Sequence, residues 1–166
     1  MASMQRSVVA SLLFAVFGGP GILLVLIPWL TTRFAVPEYE PRWQVAAAAV
    51  MICAGAIPLV ESMVRFVVRG RGSLVPTVPT EHLVVSGLYR FVRNPMYLGV
   101  FVVLAGEAVL TWNSGIVDEL VMVCVGMQLF VLLYEEPKLA RTFGEEYAAF
   151  RRHVPRWWPR LRPWRG

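Results

Sequence analysis

The chain has 166 residues, 57% of them hydrophobic and 16% charged, with a formal net charge of +5. Such a composition excludes an ordinary soluble domain, and charges recurring at intervals exclude one continuous span. What remains is an all-α, polytopic membrane helical bundle of about four transmembrane helices.

In chain order, the first apolar stretch covers residues 8–30, long enough for a hydrocarbon core that needs roughly 20 helical residues. It is longer than a signal-peptide core and ends in Pro28-Trp29-Leu30 without a small-residue cleavage site, so it reads as a retained helix. Gly18-Gly19-Pro20-Gly21 interrupts it, predicting a kink or a close helix approach. The following loop carries Pro37 and Pro41 among Trp29, Tyr39 and Trp43, a turn anchored at an interface by aromatic rings.

The second span covers residues 45–68, where Glu61 and Arg65 share a helix face four residues apart. An internal ion pair and a functional role are both open for them. Residues 70–81 form a loop by their glycines and by Pro76 and Pro79. Residues 82–99 then gather arginines, an amide, hydroxyls and two tyrosines immediately before a membrane helix, with Pro95 placed to open it and Asn94 before it. Capping and boundary roles explain Arg90, Arg93 and Pro95, but not the whole collection.

The third and fourth spans cover residues 97–112 and 116–134. Glu107 lies inside the third, placed to face an acceptor tunnel or to pair with Arg65. Glu135 and Glu136 close the fourth span where a helix C-terminus disfavours acids, unless Pro137 starts a new helix there. A ligand role for at least one is the favoured reading. Beyond them Leu139, Phe143, Tyr147 and Phe150 recur at three- and four-residue spacing, predicting an amphipathic interfacial helix. The tail with Trp157, Trp158, Trp164 and several arginines reads as an interfacial anchor. Cys53 and Cys124 fall within spans, spaced unlike any metal motif, and read as buried small apolar residues; no metal is expected.

Of the 16 Lys and Arg residues only Arg33 and Arg42 lie between spans one and two, and none lies between spans three and four. The positive-inside rule therefore places both termini and the middle loop in the cytoplasm. The basic balance is a topology and headgroup signal, and no nucleic-acid partner is expected. There is no internal repeat, and the connections are too short for a second unit, so residues 1–166 read as a single domain.

From Leu83 to Trp158 the order and spacing of motifs resembles the membrane methyltransferase superfamily of isoprenylcysteine carboxyl methyltransferase and phosphatidylethanolamine N-methyltransferase. Leu83-Val84-Val85-Ser86-Gly87-Leu88-Tyr89, Arg93-x-Pro95-x-Tyr97, Phe143-Gly144-Glu145-Glu146-Tyr147 and Val154-Pro155 look like the isoprenylcysteine enzyme. Asn94-Pro95-Met96-Tyr97 and Leu133-Tyr134-Glu135-Glu136-Pro137 are similar to the phospholipid version, whereas the isoprenylcysteine pattern has His where this chain has Asn94. His82 stands one position out of register with a family histidine.

The resemblance implies S-adenosylmethionine as methyl donor and a lipophilic acceptor from the bilayer, an isoprenylcysteine-like carboxylate or a phospholipid amine. It implies donor-binding segments at about 82–99 and 133–147. Glu135 or Glu136 suits the donor's ammonium or ribose, and Arg93 its carboxylate. Asn94, Tyr89 and the backbone around Gly87 suit the remainder, and Leu88, Met96 and Leu98 the adenine, beside Pro95 and Tyr97. An amine acceptor must lose a proton, for which Glu135, Glu136 or Tyr97 is placed, while Arg141 suits an anionic acceptor. The donor is cytoplasmic, and the charge count independently puts both segments on that side. A soluble enzyme for this donor would need a nucleotide-binding sheet with a glycine-rich turn, which this chain lacks. The reading from another class is a non-catalytic membrane scaffold or transporter component that keeps the fold. Oligomeric state is not written in the sequence.

Overall fold

The structure is a computed structural model that describes residues 11, 13, 17–37, 41–70 and 82–165. Most of the opening of the first predicted span, Tyr39 and the 71–81 connection lie outside the described residues. The helices are α1 (Gly19–Thr32), α2 (Arg42–Gly70), α3 (Pro95–Thr111), α4 (Ser114–Phe130) and α5 (Glu136–His153), with a 3₁₀ turn at Gly87–Arg90. Among the described residues there is no strand.

Local chemistry sets the boundaries. Phe17 is helical, Gly18 leaves helical geometry at φ −112°, ψ −138° and Pro20 opens α1, so the glycine-proline cluster interrupts the helix, and a π turn at Ile22–Leu26 follows. Gly70, expected to begin a loop, is instead the last residue of α2. Asn113 caps α4 by accepting a hydrogen bond from the Gly115 amide at 2.8 Å. A second π turn, Val131–Glu135, joins α4 to α5, so Ser114–His153 runs as 40 continuous helical residues broken only by Gly144 at φ 49°.

Arg42–Val68 and Ser114–His153 are long and apolar enough to cross a membrane, whereas Gly19–Thr32 and Pro95–Thr111 are shorter apolar helices. The outward faces explain what solvent they suit. Val50, Ile57, Val60, Val64 and Val68 on α2, and Val117, Val121, Val125, Leu129 and Leu133 on α4 and its continuation, are all exposed at three-, four- or seven-residue spacing. Two apolar stripes of that length fit lipid and would be untenable in water. Cys53, expected to be buried, lies exposed on the lipid-side stripe of α2, and Cys124 is half-buried.

With lipid outside, close approach holds the interior together. Gly55 and Gly99 bring α2 and α3 nearly into backbone contact: a Cβ on Gly99 would stand 2.7 Å from the Gly55 carbonyl oxygen. Beside this crossing Leu59, Val100, Leu104 and Val123 form a buried cluster joined by Leu23, Met96 and Phe101. Gln44 is buried and donates to the Val109 carbonyl at 2.6 Å, a tie between α2 and α3 near the opposite end of the bundle.

At the other end the chain folds back on itself. Tyr147, Phe150 and Val154 form a second buried cluster with Leu83, Val85, Leu139, Phe143 and Trp164. The apolar face of the predicted amphipathic helix is thus covered by protein. The tail is fastened by backbone hydrogen bonds from Arg93 N to Pro155 O, Arg160 N to Phe91 O and Trp164 N to Arg90 O, each 2.9 Å. Trp158 and Leu161 point outward as an anchor should, but Trp157 and Trp164 pack inward.

Candidate active site

The charged end of the bundle is organised around the 3₁₀ turn. Gly87 holds φ +57°, and a Cβ there would strike the Arg65 and Glu61 side chains, so this turn tolerates neither an L residue's strain nor its bulk. Arg65 and Glu61 form the ion pair that their spacing allowed. Glu107 therefore does not pair with Arg65: it is buried in α3 near Glu119 of α4, an acid not singled out from the sequence. Around the turn, Glu61 Oε2, Ser86 Oγ and Arg93 Nε are buried without a hydrogen-bond partner.

Asn94 stands at the N-cap of α3 and Pro95 opens it, as predicted, although the Asn94 side chain makes no cap. It donates instead to the Arg156 carbonyl oxygen at 3.3 Å. The helix then separates the paired acids. Glu135 accepts a hydrogen bond from the Tyr97 hydroxyl at 2.9 Å. Glu136, roughly 100° further round a 3.6-residue helix, faces away into two guanidinium groups: Arg156 donates through Nε at 2.6 Å and Nη2 at 2.9 Å, and Arg93 Nη1 lies 2.9 Å from the same carboxylate. Arg93 Nη1 also donates to the Tyr147 hydroxyl at 3.2 Å. With the Arg93 and Glu136 side chains only 10% and 8% exposed, this is an internal network of fork-shaped charge-assisted bonds.

The two carboxyls, both past the apolar span, respond oppositely. Burial pushes Glu135 above the usual carboxylate range, and the Glu136 charge adds to it against the Tyr97 hydrogen bond and Lys138. Burial would raise Glu136 too, but the Arg156 hydrogen bonds and the Arg93 charge outweigh it and hold it low. Tyr89 is buried, and its hydroxyl is raised first by burial and then by the charges of Glu135 and Glu61, so it sits within electrostatic reach of both.

The structure thus brings together Tyr97, Glu135 and Tyr89 on one side, and Arg93, Asn94 and Glu136 with the tail on the other. Leu88 and Leu98 are half-buried, and Met96 packs on the apolar cluster. Arg141 is exposed on α5 and is not brought to either carboxylate. Sequence reasoning missed Arg156, Tyr147 as a hydroxyl partner, and Trp157, which donates to Gln128 at 2.7 Å and packs on Phe101 and Tyr97 at ring separations of 5.6 and 6.5 Å. The signals for them were the Phe143–Tyr147 motif, which contains Tyr147, and Val154-Pro155 just before Arg156 and Trp157. Among the described residues no group of His, Cys, Asp and Glu is placed to hold a metal ion.

The family model described as Phospholipid methyltransferase matches residues 43–146, from the start of α2 to the middle of α5. No curated protein and no solved structure matches the chain.

Proposed function

The chain belongs to the phospholipid methyltransferase family, and from that premise we propose that it moves a methyl group from S-adenosylmethionine to an amine on a lipophilic, membrane-held acceptor. The observation that carries this reading is the Tyr97–Glu135 hydrogen bond at the end of the apolar span. A carboxylate with a raised proton affinity suits the removal of a proton from an ammonium at neutral pH. It would repel a carboxylate acceptor such as an isoprenylcysteine.

The residues present fit the donor. It carries a positive sulfonium and ammonium, and Glu135 with the Tyr97 and Tyr89 hydroxyls offers negative and polar groups, while the unpartnered Ser86 hydroxyl marks a polar wall beside Gly87. Gly87, Leu88, Tyr89 and Leu98 would hold it, and when bound it supplies an electrophilic methyl group for in-line displacement. Glu135 takes the proton that the acceptor nitrogen must lose, and Tyr97 orients the carboxylate. Trp157 and Phe101 exclude water from the Tyr97 side, which matters because methyl transfer relies on positioning and a dry site. Arg93, Asn94 and Glu136 act one step back, as the frame that fixes the tail over the site. The positive-inside count supports a site open to the cytoplasm with both termini on that side.

A non-catalytic scaffold would keep the frame equally well, so Tyr97–Glu135 is the pair that separates the two readings. Purified protein in nanodiscs containing an ethanolamine phospholipid and labelled donor is expected to transfer label to the lipid. Glu135→Gln is expected to lower the rate about a hundredfold or more. Folded protein that binds neither S-adenosylmethionine nor its demethylated product in calorimetry would remove the enzyme reading.

A further inference from the structure

The hairpin of α3 and α4 is closed at two levels and parted between them. Joined through Trp112 and Asn113, the helices meet directly where Val100 and Leu104 pack with Val123 and Met127. Toward the charged end they are tied again by the Tyr97–Glu135 hydrogen bond. The window between these closures is filled by neither helix. The indole of Trp157, a tail residue, stands in it, against Phe101 and Tyr97 of α3 at ring separations of 5.6 and 6.5 Å, and donates from Nε1 to Gln128 Oε1 of α4 at 2.7 Å.

Gln128 is the one amide in the run Leu120–Leu133, and an amide in an apolar span calls for a partner. The indole N–H supplies it and latches the window. Val102 beside Phe101 and Leu129 beside Gln128 are exposed, so lipid borders the window along both helices. The tail does not need the indole as a fastening. Arg156 O accepts from Asn94 at 3.3 Å, the Arg156 side chain is forked onto Glu136, and Arg160 N donates to Phe91 O at 2.9 Å. With its backbone pinned on both sides, Trp157 leaves the window by turning about its own side-chain bonds while the tail stays in place.

We infer that Trp157 is a gate whose indole competes with the apolar chain of the acceptor for this window, and so decides which amines reach Glu135. The inference rests on the reading of the chain as an amine methyltransferase and names how that site is regulated. Gln128 precedes Glu135 by seven residues, about two turns, on the membrane side of it. An amine that offers its nitrogen to Glu135 from the bilayer lays its chain across that level, where the indole now stands. Opening breaks the hydrogen bond to Gln128 and the contacts with Phe101, and the entering chain must offset both. A long chain can, because each buried methylene strengthens binding about fourfold; a short one cannot. Once seated, the chain keeps water out in place of the indole.

The test uses the full chain in nanodiscs with a long-chain alkylamine carrying a diazirine midway along its chain. The probe is photolysed without methyl donor and the labelled peptides are mapped by mass spectrometry. Label is expected around Phe101 and Gln128, rising about tenfold in Trp157→Ala and several-fold in Gln128→Leu, which cuts the latch and keeps the indole packing. With Cys53→Ser and Cys124→Ser, the pair Trp157→Cys and Gln128→Cys joined by a reducible bis-thiol reagent is expected to exclude the probe until reductant is added. In turnover both open variants are expected to lower KM for a long-chain amine several-fold without raising kcat, a split that a structural role for Trp157 would not give. Donor affinity in calorimetry is expected to be unchanged. The inference is overturned if both open variants label as wild type does, if their label falls on other segments, or if the joined protein labels fully. Labelling that rises as expected in a protein that methylates no amine would remove the methyl-transfer reading and support the gate; methyl transfer with unchanged labelling would remove the gate alone.

Discussion

Replacing Glu136 by glutamine tests the division of labour between the adjacent acids. The carboxylate is buried and receives three contacts from Arg93 and Arg156, all between 2.6 and 2.9 Å. Removing one side of a buried ion pair leaves guanidinium charge without compensation and costs about 3–5 kcal/mol. Glutamine keeps the shape and one acceptor oxygen, so the lower end is expected, about 3 kcal/mol or somewhat more than a hundredfold in the folding equilibrium. Glu135→Gln loses only the charge behind one hydrogen bond from Tyr97 and is expected to cost about 1 kcal/mol while abolishing most activity. Unfolding by sodium dodecyl sulfate, followed through tryptophan fluorescence, measures both. The pH dependence has a defined sign. The folded Glu136 carboxyl holds its proton less tightly than the unfolded one, so its contribution is complete above the unfolded value of about 4.3 and drains away as pH falls through the depressed folded value. The stability gap between wild type and Glu136→Gln should therefore be flat at neutral pH and close under acid conditions. Wild-type stability in Glu136→Gln together with lost donor binding would refute the reasoning, because Glu136 would then face a ligand and not the arginines.

Tyr97→Phe removes the hydrogen bond that lowers the proton affinity of Glu135. The acid limb of the pH–rate profile for amine methylation should move to higher pH, which a purely structural role for Tyr97 would not produce. Gly99→Ala would place a Cβ 2.7 Å from the Gly55 carbonyl oxygen and 2.9 Å from Leu59 Cβ, and is expected to destabilise by about 1–3 kcal/mol in the same unfolding assay. Gly126→Ala, with nothing within 4 Å of the added carbon, should be near neutral.

Features encoded locally were legible in the sequence. Asn94-Pro95 opens a helix because a proline at the first turn needs no amide hydrogen bond, and Glu61 and Arg65 pair because four residues return a helix to the same face. The partners of Glu136 were not legible. Arg156 stands twenty residues on, in the irregular tail beyond α5, and a guanidinium among tryptophans carries the same composition whether it faces headgroups or a buried acid. Which of Glu135 and Glu136 meets which partners was open for a related reason: neighbours in sequence point about 100° apart on a helix, and here that angle divides a tyrosine from two arginines.

The unbroken passage from α4 through the π turn into α5 has a mechanical consequence. Before the break at Gly144 this rod is about 45 Å long at roughly 1.5 Å per residue, against a hydrocarbon core of about 30 Å. Glu135 rides on it at a fixed height, while the plane of the headgroups follows the thickness of the bilayer. A thicker bilayer lifts that plane toward Glu135 and a thinner one lowers it, unless the rod tilts to compensate. Acyl-chain length thereby becomes a dial on the reach between a headgroup and its base.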